Sequence, residues 1–154
     1  MIRNATKLDI PRLVEMMRHY ANESPTQAQN NLEQNNATYV QDLFFSLIVG
    51  KGFILVDENL NGFIAAIKIK NIWRPTVYEL HELAWWVEPE KRNTTLGGRL
   101  WTKFNLIADK MLENKEIHLI YCTKMSTSPD LNYEKRGYQY LESRYYKDEL
   151  CQHQ

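Results

Sequence analysis

The stretch from Glu82 to Leu100 constrains this chain more than any other. It leaves a run rich in Tyr, Leu and Trp between Val77 and Val87, and breaks at Pro89. It then passes Arg92 and the small residues Thr94 and Thr95 to reach Gly97 and Gly98. Leu96, Leu100, Trp101, Phe104, Ile107, Ala108, Met111 and Leu112 follow at roughly 3.6-residue spacing, the clearest helical stripe in the sequence. A strand, a turn and a long amphipathic helix are therefore predicted. A helix N-terminus carries unpaired N–H groups and about half a positive charge, so it suits a phosphate. Small residues let a backbone approach such a group. Two explanations of Gly97 and Gly98 stand side by side: a phosphate cradle to which Arg92 adds charge, or close packing of helix on strand.

The flanking sequence sets the fold class. Ile2 to Ala5 reads as a short edge strand. Thr6 or Asp9 caps a helix with Pro11 in its first turn and a stripe of Ile10, Leu13, Val14, Met17 and Tyr20. The Asn/Gln-rich segment 23–38 reads as a loop, and Tyr39 to Val49 as a second helix ended by Gly50. Residues 52–70 read as a hairpin turning at 57–62, and Ile117 to Cys122 as a further strand. A short helix is expected within 128–135, closed by Gly137, and one or two strands within 138–147. The order β-α-α-β-β-β-α-β-α-β predicts a mixed α/β fold: a central, mostly antiparallel twisted sheet of six to seven strands, flanked by about four helices. No repeat or linker divides it, so residues 1–154 are expected to form a single domain with a polar tail at 148–154.

Composition closes off other classes. At 154 residues, with 44% hydrophobic and 25% charged, the chain has ordinary globular usage. Nineteen basic residues balance nineteen acidic ones, so no global field attracts nucleic acid or an anionic membrane. The aromatic and basic residues of 133–146 are interrupted by Glu134 and Glu142, which suits a solvated strand face. Cys122 and Cys151 make no C-x-x-C pair, and Cys122 reads as a buried small hydrophobe. His19, His118 and His153 lack metal-ligand spacing, so no metal is expected. No run reaches the ~18 apolar residues of a membrane span, and Met1 to Thr6 has no apolar signal core. A cytoplasmic protein is expected. Trp73, Phe44 and Phe45, if exposed, would suit a homodimer interface.

Three motifs, in order, resemble the GCN5-related N-acetyltransferase (GNAT) family. Val87-Glu88-Pro89 followed by Arg92-Asn93-Thr94-Thr95-Leu96-Gly97 resembles its strand end and pyrophosphate loop. Ile2-Arg3-Asn4-Ala5-Thr6, with Asp9, looks like its first strand and helix start. Tyr133-Glu134-Lys135-Arg136-Gly137-Tyr138, with Tyr146-Lys147 later, is similar to its C-terminal segment. The resemblance runs from residue 2 to about 147. In style, the paired Trp and low Gly content look like divergent phage-encoded members. Thr95 stands where the family has its first Gly, and a β-branched residue disfavours positive φ.

The resemblance implies transfer of an acetyl group from acetyl-coenzyme A (acetyl-CoA) to an amine of a small molecule, a protein lysine or an N-terminus. It implies that Arg92, Asn93, Thr94, Thr95, Leu96, Gly97 and Gly98 hold the pyrophosphate. Arg99 and Lys103 reach a phosphate or line a solvated helix face. A bulge near Trp85, Trp86 and Val87 would aim a backbone N–H at the acetyl oxygen. Strict alternation puts Glu79, His81, Leu83, Trp85 and Val87 on one face yet mixes polar and apolar residues, so a register change inside 82–86 is expected. A base near neutral pH suits a protonated amine. Glu79, His81 and Glu82 are the candidates, and His81 has the suitable intrinsic pKa of ~6.5. Tyr133 matches the family's general acid, while Ser126 stands where its upstream Asn would be. The acceptor is expected among residues 21–38, the second helix and the fourth strand, where Glu23, Glu33, Glu79 and Glu82 make the side acidic. The alternative is a non-catalytic acyl-CoA-sensing or protein-binding module on the same scaffold, which Thr95 favours.

Overall fold

The first turn is built by charge and capping. In the computed structural model, which describes residues 1–26 and 37–148, Asp9 Oδ2 accepts from the Thr6 N–H at 2.8 Å. Arg3 grips the same carboxylate at 2.7 and 3.1 Å. This pins β1 (Ile2–Asn4) to the start of α1 (Ile10–Asn22), whose Pro11 occupies the first turn where no N–H partner is needed. The Arg3 guanidinium holds the buried Asp9 carboxyl below its usual range.

Next come α2 (Ala37–Ser46), a π-turn at Leu47–Lys51, β2 (Gly52–Asp57), β3 (Gly62–Lys70) and β4 (Tyr78–Val87). Then follow α3 (Leu96–Glu113) and β5 (Leu119–Tyr121). The sheet order is β1-β2-β3-β4-β5, antiparallel throughout except for the parallel pair β4–β5. The turn between β2 and β3 is organised by Asp57, whose Oδ1 accepts from the N–H groups of Asn61 and Gly62 at 2.8 and 2.9 Å.

Side chains of β2 and β3 alternate between two cores, as a sheet covered on both faces requires. Ile54, Val56, Phe63 and Ala65 pack with Leu13, Met16, Phe44 and Leu47 under α1 and α2. Leu55, Ile64 and Ala66 pack with Leu100, Phe104 and Ile117 under α3. β4 changes parity part-way. Leu80 lies on the α3 side, and so do Trp85 and Val87, while Ala84 and Trp86 lie on the α1 side. The cause is a bulge: Ala66 pairs with Glu82 and Ala65 with Ala84, leaving Leu83 without a partner. The register change expected inside 82–86 is therefore at Leu83.

Some expectations are corrected. Among the described residues there are five strands, not six or seven, and three α-helices, not about four. The helix expected within 128–135 reduces to a single 3₁₀ turn, Glu134–Arg136. There Asn132 Oδ1 accepts from the Lys135 N–H at 3.0 Å, a local bond that competes with helix. Residues 138–147 join no ladder. Nearly all of them are exposed, so burial cannot repay the ordering of a strand. β5 offers only three residues to pair against. Phe44 is buried at 3% exposure and unavailable to a dimer interface, whereas Phe45 and Trp73 are exposed. Cys122 is only partly buried. Glu33 and residues 149–154 of the polar tail, with Cys151 and His153, lie outside the described residues. No helix among the described residues is long and apolar enough to cross a membrane.

Candidate active site

β5 accompanies β4 only at Glu79, Leu80 and His81. From Glu82 to Val87 the outer edge of β4 has no strand beside it among the described residues, and an extended strand presents part of its N–H and C=O groups there. A cavity of about 560 Å3 opens in the gap. Its walls are Glu82, Trp85, Trp86 and Val87 of β4, Tyr20 and Glu23 from the end of α1, and Gly97, Gly98 and Trp101 of α3. Arg92, Thr94, Tyr133 and the loop residues Thr123, Met125, Thr127, Ser128, Pro129 and Leu131 complete it.

At one end lies the start of α3. Leu96 N–H is taken by Thr94 Oγ1 at 3.3 Å. Arg99 N–H begins the helical ladder on Thr95 O at 2.9 Å. The N–H groups of Gly97 and Gly98 between them have no acceptor among the described residues. A side chain at Gly98 would meet nothing within 4 Å, whereas one at Gly97 would touch Val87 and Trp85 at 3.6 and 3.9 Å. Thr95 sits at φ −80° and ψ 1°, a conformation that needs no glycine. Asn93 touches neither this cavity nor a neighbouring one of about 680 Å3 beside Thr95, Arg99 and Lys103. Leu96 packs in the core.

At the centre is Glu82. It is 8% exposed, and no group among the described residues hydrogen bonds to its carboxyl. Burial pushes its pKa up to about 8. Tyr133 lines the same cavity, half-buried and edge-on to Trp101 at 5.6 Å between ring centres. Burial and then the Glu82 charge push its phenol up to about 12, so near neutral pH it is a donor.

His81 and Glu79 lie outside the cavity wall and face each other. His81 Nε2 is 2.7 Å from Glu79 Oε1, and the Asn71 amide donates to Oε2 of the same carboxylate. The His81 bond, aided by Asn71, holds Glu79 below its usual range. The His81 ring also lies 4.8 Å from the Tyr121 ring.

Arg92 is engaged. Its Nε donates to Val87 O at 2.9 Å, its fork grips Glu23 at 3.1 and 2.5 Å, and its guanidinium covers the Trp86 ring at 4.6 Å. The group is thus turned toward the end of α1 and away from the free N–H groups of α3.

The fold has counterparts among solved structures. A GCN5-related N-acetyltransferase from Ralstonia eutropha is 14% identical over 96% of this chain and 97% of its own, with a TM-score of 0.69. A predicted acetyltransferase from Clostridium acetobutylicum, solved with acetyl-CoA, is 16% identical over 100% and 99%, with a TM-score of 0.67. A Trypanosoma brucei acetyltransferase is 16% identical over 96% and 98%, with a TM-score of 0.65.

The chain has the GNAT fold.

No family model matches the sequence, and no curated protein matches it. The GNAT likeness therefore rests on shape. The cavity brings together Glu82, Trp85, Trp86, Val87, Arg92, Thr94, Gly97, Gly98 and Tyr133 of the residues the sequence singled out, and leaves His81, Glu79, Asn93, Thr95 and Leu96 off its wall. Sequence reading missed Tyr20, Trp101 and Met125 as wall residues. The first two sit in helical stripes that read equally as core, and Met125 lies in a loop without periodicity. Among the described residues no group of three or more His, Cys, Asp and Glu is placed to hold a metal ion.

Proposed function

We propose that this chain transfers an acetyl group from acetyl-CoA to a primary amine, with Glu82 as general base and Tyr133 as general acid. The observation that carries the reading is the pairing of roles in one cavity: a buried carboxyl with no hydrogen-bond partner and a phenol donor, at a strand edge that leads to two free helix N–H groups.

The residues present fit the coenzyme. The N–H groups of Gly97 and Gly98 have no acceptor among the described residues and would hold the pyrophosphate with the positive end of α3 behind them. Thr94 and Thr95 shape the approach, and Arg99 and Lys103 lie beside Thr95 where a further phosphate would find charge. Bound acetyl-CoA supplies a thioester whose carbonyl carbon is open to a nucleophile. The free edge of β4 around the Leu83 bulge offers backbone donors for the acetyl oxygen. Glu82 takes a proton from the arriving ammonium, and the neutral nitrogen forms the new N–C bond. Tyr133 gives its proton to the sulfur as the carbon–sulfur bond breaks. The second nitrogen proton returns to the phenol through solvent, and Glu82 gives the first to solvent, the one proton that turning an ammonium into an amide releases. Glu79 and His81, bonded to each other on the neighbouring turn of strand, would carry no proton directly and would set the polarity of the approach.

The test is thiol release from acetyl-CoA with a panel of amines. Glu82→Gln and Tyr133→Phe each lower kcat by about 100-fold or more, the usual contribution of general acid–base catalysis. Wild-type kcat in both variants would remove these assignments. The non-catalytic alternative is favoured by the engagement of Arg92 with Glu23. It predicts acetyl-CoA binding with no thiol released by any amine.

A further inference from the structure

We infer that the acceptor is a small primary amine on one aromatic or apolar body, an arylalkylamine in type, and not a polyamine, a free amino acid or a lysine of a protein. This inference rests on the transferase reading above. Tyr20 near the end of α1, Trp86 on the α1 face of the sheet and Met125 line the same cavity. The Tyr20 and Trp86 rings meet edge-on at 6.3 Å, and the Tyr20 hydroxyl donates to the Met125 sulfur at 4.0 Å. Trp86 is 5% exposed, and its indole N–H is buried without a partner. Such a wall takes up an apolar body by burial and ring contact.

The charges argue the same way by elimination. Among the described residues, two carboxylates line the cavity, Glu23 and Glu82. Glu23 is already neutralised by the fork of Arg92. Glu82 is the group that must take the proton of the reacting amine. A second ammonium, as in a polyamine, would find no free counter-charge among the described residues of the wall and would be desolvated unpaired. An amino acid brings a carboxylate, and the one cation on the wall among the described residues, Arg92, is held by Glu23. What remains complementary is one amine and an uncharged body.

The full chain would be assayed at saturating acetyl-CoA with 2-phenylethylamine, tryptamine, spermidine, free lysine and a lysine-containing peptide. The two arylalkylamines should show kcat/KM at least about 10-fold above the other three, the discrimination an apolar pocket can supply. Tyr20→Ala should raise KM for 2-phenylethylamine about tenfold with kcat within about twofold, the mark of lost binding alone. Tyr20→Phe should keep the wild-type KM, because the ring and not the hydroxyl is used. If Tyr20→Ala does not fold, Met125→Ala on the loop gives the same KM rise. Spermidine, lysine or the peptide matching the arylalkylamines would overturn the inference and leave the transferase reading standing, as would an unchanged KM in the wall variants. If no amine releases thiol from acetyl-CoA, the transferase reading fails and the inference fails with it.

Discussion

Glu82 is the residue at which burial and chemistry meet. Its carboxyl stays protonated in the folded chain up to about pH 8, while an exposed carboxyl loses its proton near 4.5. The unfolded chain therefore binds fewer protons between those values, and stability falls as pH rises through them. The contribution is fully present below about 4.5 and is gone once pH passes about 8. The loss is on the order of a few kcal/mol, at ~1.4 kcal/mol for each pH unit. Thermal unfolding of wild type and Glu82→Gln from pH 5 to 9 should show the wild-type Tm declining and the variant's curve flatter, with the variant the more stable at pH 9. Parallel curves would mean that the carboxyl is solvated in the folded state. Activity should move the opposite way, rising to a plateau above about pH 8 as the base loses its proton.

Among the elements, the sheet depends on close backbone approach at the start of β2. A Cβ added to Gly52 would stand 1.9 Å from the Ala66 carbonyl oxygen. That neighbour is backbone in the middle of β3 and cannot swing aside, so the β2–β3 ladder must shift. Gly52→Ala should cost about 1–3 kcal/mol, read as a lowered urea midpoint. Gly98→Ala, which meets open space at the first turn of α3, is the matched control. Legibility in the sequence also divides by element. The α3 stripe and the 52–70 hairpin were readable because burial on one or two faces imposes a period. The bulge was readable because strict alternation mixed polar and apolar residues on both faces. The expected strands of 138–147 were not, since the β preference of the four Tyr there finds no half-buried surface to occupy. Glu82 and His81 were equal candidates from composition alone. The bulge and the departure of β5 put one on the cavity and the other beside Glu79. The Arg92–Glu23 pair joins residues 69 apart in sequence, and no local signal announces it.

For the whole molecule, the cavity joins parts that share little else: the end of α1, the edge of β4, the start of α3 and the loop carrying Tyr133. A ligand spanning them should stabilise the fold as a unit. At 100 times its dissociation constant, acetyl-CoA adds about 2.7 kcal/mol. For a chain of this size that raises Tm by roughly 5–10 °C. Free coenzyme A should give a smaller shift in the same direction if the α3 end is the main anchor. No shift with either up to millimolar concentration would show that the free N–H groups of Gly97 and Gly98 do not hold a pyrophosphate.

Leu83 carries a consequence of another kind. The ladder between β3 and β4 has no place for it: its neighbours pair with consecutive residues of β3, and it is left partly exposed. A β4 one residue shorter would pair from end to end and keep every other side chain on its present face. The strand is thus one residue too long for its sheet, and the surplus lies next to Glu82. Exchanging Leu83 for another side chain leaves that surplus in place, whereas deleting it makes a more regular sheet and a blunter site. What this position contributes is a matter of counting, held in the length of the chain more than in the identity of any side chain.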